Sequence, residues 1–151
     1  MPTHSPLSAG AERERLVRAA ADQLRSDGWL EVRASGCAGF RRPQALVVPV
    51  LQVPLQPDLC ASHPRRRGPL LGVVATSRDI GEASLRRRCE ALAAWAREHG
   101  GEFVVFVPAH DEARARAAVT ARWHLDPMVL RALRSPPPPT PAPGAAQPRH
   151  L

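Results

Sequence analysis

The sequence predicts an α/β fold: a three-layer-like sandwich in which a central mixed sheet of four to five strands is flanked by helices. Two observations carry this expectation. Apolar residues recur at helical spacing near the N-terminus and again in the middle of the chain, and short Val- and Leu-rich runs between those stretches read as buried strands. At 151 residues the chain is long enough for one domain with a proper core and too short for two ordinary ones with linkers.

Each element has its own signal. Residues 1–10 are polar and Pro-containing and are expected to be disordered. From Ala11 to Asp27, Leu16, Val17, Ala20, Ala21 and Leu24 share one helical face, while Arg13, Arg15, Arg18 and Arg25 occupy other positions. Gly28 is placed to stop this helix in a left-handed cap, and Trp29 to Arg33 then alternates as a half-buried strand does. Ala45 to Val53 also reads as a strand, but Pro49 denies it a central position, so an edge strand or an apolar insertion is expected. Asp58 to Ser62 reads as a short strand, Pro64 to Pro69 as a turn, and Leu70 to Thr76 as a buried central strand.

Asp79, with Glu82 three residues on, fits an N-cap and its reciprocal partner for a helix reaching His99. Leu85, Cys89, Leu92 and Ala96 form the apolar stripe of that helix, and Gly100-Gly101 ends it. Glu102 to Val107 is the most strongly marked strand, stopped by Pro108. Asp111 and Glu112 occupy the first turn of a third helix running through Arg122, where the helix dipole favours acids. A last short helix is expected from Asp126-Pro127 to about Arg134. The domain is therefore read as 11–134, followed by a Pro-rich tail over 135–151 that cannot build a core.

Composition narrows the chemistry. The net charge is +7, the pI is near 11.2, and every basic side chain is Arg, because the chain contains no Lys. That balance favours a polyanionic partner such as DNA. Arg keeps a planar fork suited to phosphate, whereas the absence of Lys removes the side chain that commonly orients attacking water at nuclease sites. Cys37, Cys60 and Cys89 show no CxxC spacing, and the pair Cys60 and His63 supplies too few ligands for a closed zinc site. No signal peptide and no membrane-length apolar run is evident, so a cytoplasmic location is expected, without a membrane partner.

The informative motif is Pro57-Asp58-Leu59, followed after an Arg-rich turn by Leu70-Leu71-Gly72-Val73-Val74-Ala75-Thr76. This order, preceded by a helix that opens Ala11-Glu12-Arg13-Glu14, resembles the PD-(D/E)XK restriction-endonuclease-like superfamily over about Ala11 to Leu125. The likeness is greatest to small members related to Holliday-junction resolvases and type IV restriction enzymes. The resemblance implies a metal site made by an acid on the first helix, the Asp of Pro-Asp, and a Glu-x-Lys or Glu-x-Glu on the next strand. Asp58 matches the Pro-Asp position, whereas Val73 and Ala75 fall where the catalytic residues belong, so Asp58 reads as a remnant. A single carboxylate holds Mg²⁺ weakly, and Val or Ala cannot polarise water or support a leaving oxyanion.

Three readings follow. The first is a catalytically degenerate nuclease-fold protein that keeps DNA or protein-partner binding, with Arg41, Arg42, Arg65, Arg66 and Arg67 as DNA-contact candidates. The second is an active Mg²⁺-dependent endonuclease with a migrated site built from Asp58 with Glu12 or Glu14 and Asp79. The third is an α/β interaction module whose Pro-rich tail recruits a protein partner. No cofactor is expected under the first or third reading, and Mg²⁺ under the second.

Overall fold

The computed structural model describes residues 6–47, 54–76, 78–123 and 129–134. Helix α1 (Pro6–Ser26) buries the stripe of Val17, Ala20, Ala21 and Leu24. It begins at Pro6 rather than Ala11, so residues 6–10 are helical and not disordered. Proline suits a first helical position, where its missing N–H has no intrahelical acceptor in any case. At the other end Gly28 takes φ +94°, and the Trp29 N–H turns back to the Leu24 carbonyl at 3.0 Å.

Strand β1 (Leu30–Ala34) pairs antiparallel with β2 (Leu59–Ser62), and β2 pairs antiparallel with β3 (Leu70–Val74). The β1–β2 register breaks between Leu30 and Arg33, where Glu31 takes φ +51°, as a bulged residue can. From β3 the chain crosses through α2 (Ala83–Glu98) to β4 (Glu102–Pro108), which lies parallel to β3. A 3₁₀ turn (Ala109–Asp111) then leads into α3 (Glu112–Arg122).

The expected final helix is instead a strand, β5 (Leu130–Leu133), parallel to β4. So short a segment gains little as an isolated helix, whereas the open edge of β4 offers backbone partners. As a strand it also sends Leu130 into the core on one face of the sheet and Leu133 into the core on the other. Asp126 and Pro127 lie outside the described residues.

The result is a five-stranded mixed sheet in the order β1-β2-β3-β4-β5. One face carries α1, packed through Val17, Ala21 and Leu24 with Leu59, Val74 and Phe106. The other carries α2 and α3, packed through Leu85, Cys89, Leu92 and Val119 with Leu71, Val73 and Val105. This is the three-layer α/β sandwich that the sequence predicts. Of the Ala45 to Val53 segment, Leu46 makes an isolated antiparallel bridge to Leu55 and is not part of the five-stranded sheet, while 48–53 lie outside the described residues. The tail at 135–151 and residues 1–5 also lie outside them. No helix among the described residues is long and apolar enough to cross a membrane.

Candidate functional site

Asp58 stands immediately before β2, and its backbone is pinned from both sides. Its N–H donates to the Gly72 carbonyl at 2.9 Å, and its own carbonyl accepts the Ser35 N–H at 2.8 Å. This holds the carboxylate at the sheet end where β3 finishes. There Oδ2 accepts from the Val74 N–H at 2.9 Å and from Arg13 Nη2 at 2.8 Å, while Oδ1 accepts from Arg88 Nη2 at 3.0 Å. The residue is only 5% exposed, and a carboxylate removed from water to this degree requires such partners.

The two guanidiniums come from opposite faces of the sheet. Arg13 projects from α1 and Arg88 from α2, so Asp58 joins both outer layers across one sheet end. Arg88 is further fixed by the Gln56 carbonyl, which accepts from its Nε at 3.1 Å and its Nη2 at 2.6 Å. Arg13 Nη1 donates to the Val74 carbonyl at 3.4 Å and lies 4.0 Å from Asp79 Oδ2.

Of the other candidate acids, Asp79 lies at this end, on the far side of Arg13 from Asp58, and the glutamates of α1 do not approach it. Glu12 and Glu14 are exposed on α1, and Glu14 pairs with Arg18 at 3.4 Å rather than approaching Asp58. Asp79 does not cap α2, whose N-cap is Glu82 without a side-chain capping bond. Its Oδ2 instead accepts from the Thr76 N–H and Oγ1 at 2.9 and 3.0 Å, closing the turn after β3. Val73 and Ala75 are both 0% exposed and belong to the core beneath α2. Charged side chains at those two positions would have to ionise inside that core.

Mg²⁺ does not fit this arrangement. Among the described residues no group of three or more His, Cys, Asp or Glu could hold a metal. Both oxygens of Asp58 already accept guanidinium donors, whereas Mg²⁺ needs oxygen ligands free to face it.

The basic candidates divide between the two ends of the sheet. The Arg41 carbonyl accepts the Ala34 N–H at 2.9 Å, which brings exposed Arg41 and Arg42 to the Asp58 end. Arg65, Arg66 and Arg67 lie in the β2–β3 turn at the opposite end, about 13 Å away along β3. Arg66 pairs with Glu102 at 3.3 Å, and the same carboxylate lies 3.9 Å from Arg131 of β5. Among the described residues Arg65 and Arg67 have no acidic partner and are exposed.

The thiols are poor nucleophiles here. Burial pushes the Cys89 thiol up to about 12, against the influence of nearby Arg88, and burial also raises Cys60 and Cys37. His63 accepts the Arg65 N–H through Nδ1 at 3.1 Å, with its ring edge-on to Trp29 at 5.3 Å, so that nitrogen is engaged inside its own turn.

Sequence reasoning singled out Asp58 and missed the two arginines that define its surroundings. Arg88 carried a usable signal, because it follows Leu85 by three positions and precedes Leu92 by four, on the stripe that faces the sheet. Arg13 carried less, since it lies between two exposed glutamates. No family model, no curated protein and no solved structure matches the chain.

Proposed function

We propose that this chain is a non-catalytic nuclease-fold protein that binds DNA through the arginine turn at the sheet end opposite Asp58. The observation that carries the reading is that Arg13 and Arg88 together occupy both oxygens of Asp58. A cation that approached this carboxylate would have to crowd against a guanidinium at either oxygen. The positions that would complete a nuclease site, Val73 and Ala75, are core residues. Glu12 and Glu14 do not approach Asp58, Asp79 is separated from it by the Arg13 guanidinium, and no three acids gather among the described residues, which argues against a migrated site.

Charge supports the binding half of the reading. At the turn, Arg65 and Arg67 are free of carboxylates among the described residues, and Glu102 is shared between Arg66 and Arg131. Arginine forks exposed in this way suit the phosphates of a DNA backbone and carry no sequence preference by themselves. At the Asp58 end, Arg13 and Arg88 are both engaged by the one carboxylate they share.

The test is cleavage of plasmid and branched DNA in Mg²⁺ and Mn²⁺, with binding to the same DNA followed across a salt series. Binding that weakens with salt, without cleavage, is the expected result. Cleavage abolished by Asp58→Ala would show an active enzyme and overturn the proposal. Neither binding nor cleavage would replace it with the interaction-module reading.

A further inference from the structure

We infer that the cavity beside the arginine turn takes an unpaired DNA base, which stacks against Trp95 while the phosphates of its strand meet Arg65 and Arg67. The inference deepens the DNA-binding reading and rests on it, and it names DNA with an unpaired base as the preferred form of that ligand.

The cavity follows from how the layers are laid. On one face of the sheet α1 covers β1 and β2, but on the opposite face α2 packs on β3 and β4, and α3 on β4 and β5. The second face of β1 and β2 is thus left without a helix. It holds a cavity of about 270 Å³ floored by Leu46, Pro57, Cys60 and Leu71, with Trp95 of α2 as one wall. His99 stacks on the indole at 3.7 Å between ring centroids and 13° between planes, and so braces that wall. An apolar floor with an aromatic wall suits any base, because every base has a π-face and stacking asks for no particular sequence.

The rim supplies what the edge of a base requires. Glu31, Arg33 and Gln44 border the cavity, and among the described residues their side chains make no hydrogen bond or ion pair. Together they offer a carboxylate acceptor, guanidinium donors and an amide that does both. Arg33 is half-buried, and a guanidinium partly withdrawn from water without an acceptor is suited to receive one from a ligand. Glu31 is held at φ +51°, a strained conformation for a residue with a side chain, at a position that borders the cavity.

Position ties the cavity to the phosphate site. Ser62 and Pro69, which bracket the arginine turn, also line the cavity. Arg67 is two residues from Pro69, within about 7 Å along the chain. A Cβ on Gly100, just past α2, would stand 3.9 Å from the Arg67 Cβ, so Arg67 lies on the side of the sheet that holds Trp95 and the cavity. A strand laid on the turn therefore has a base within reach of the opening. A paired base must first leave its stack to enter, whereas an unpaired one enters at little cost.

The experiment uses the full chain with three DNA probes at one salt concentration: a fully paired duplex, the same duplex with one bulged thymine, and the same duplex with an abasic bulge. The bulged thymine should bind about 5- to 100-fold tighter than the paired duplex, the range that stacking one base supplies. The abasic bulge should bind no better than the paired duplex. Trp29 and Trp123 are buried, so quenching of tryptophan emission reports Trp95, and only the bulged thymine should cause it. Trp95→Leu should bring the bulged thymine down to the level of the paired duplex and leave the latter unchanged. Arg33→Gln with Gln44→Ala, at rim side chains without protein partners, should keep the wild-type Tm and reduce the preference about fivefold. Equal binding of the bulged and paired duplexes would overturn the inference and leave the DNA-binding reading standing. A preference that survives in both variants would overturn it equally. Failure to bind any of the probes would overturn the DNA-binding reading, and this inference with it.

Discussion

At one end of the sheet, α1 and α2 are joined through a buried carboxylate shared by Arg13 and Arg88. At the other, the turn before β3 is pressed against the start of β4 with glycine on both sides. A Cβ on Gly68 would run into the Gly100–Gly101 peptide, and one on Gly101 would run into the Pro69 carbonyl, which already accepts the Glu102 N–H at 3.0 Å. The first end is held by charge in a place shielded from water, the second by close backbone approach. The difference sets what the arginines at each end can do. Where a guanidinium neutralises a buried carboxylate it is withdrawn from any outside anion, and where the backbone itself makes the junction the arginines above it remain available.

The largest effect should come from breaking the charged end. Asp58→Ala would leave Arg88, Arg13 and the Val74 N–H without their shared acceptor. Stability in urea should fall by about 2–3 kcal/mol, below the range for a fully buried pair because the stranded guanidiniums are 44% and 30% exposed. A loss below about 1 kcal/mol would mean that water screens the pair, as on an ordinary surface, and the contrast between the ends would collapse.

Next in size is the backbone junction. Gly101→Ala should cost about 1–3 kcal/mol, because the added methyl meets backbone that cannot rotate aside. Gly10→Ala is the control, since a Cβ there has nothing within 4 Å and φ is not in the left-handed region. In a helix that change should be neutral or stabilising by up to about 1 kcal/mol. Equal urea midpoints for the two variants would show that the junction is not tight.

How far these ends were legible in the sequence follows the same division. Periodicity marked the stripe of α1, the stripe of α2 and the apolar runs of β3 and β4, because those elements are specified by one-sided or complete burial. It failed at β5, where Leu130 and Leu133 are three apart and fit a helix as readily as a strand, and where the choice is made by the distant open edge of β4. Asp79 failed for a related reason. Its spacing to Glu82 matches a capping box, but the Thr76 amide and hydroxyl lie closer and engage the carboxylate first. At the site, Pro57-Asp58 before a strand was enough to single out Asp58. Its partners were harder to see, because Arg13 lies between two exposed glutamates and Arg88 is set apart from its neighbouring arginines only by falling on the apolar stripe of α2.

The finest distinction concerns DNA. If only uncommitted arginines reach phosphate, replacing Arg65 and Arg67 together with Ala should lower the slope of log affinity against log salt by about 1.8, at roughly 0.9 for each phosphate that is no longer neutralised. Arg13→Ala should leave that slope unchanged, because its guanidinium faces Asp58 and Asp79. Arg41→Ala with Arg42→Ala should fall between the two. Those residues are exposed but stand at the Asp58 end, away from the arginine turn proposed as the docking site. Salt-series binding to one duplex ranks the three variants directly. If the Arg41 and Arg42 pair shows the largest change, the duplex docks at the Asp58 end and not at the arginine turn.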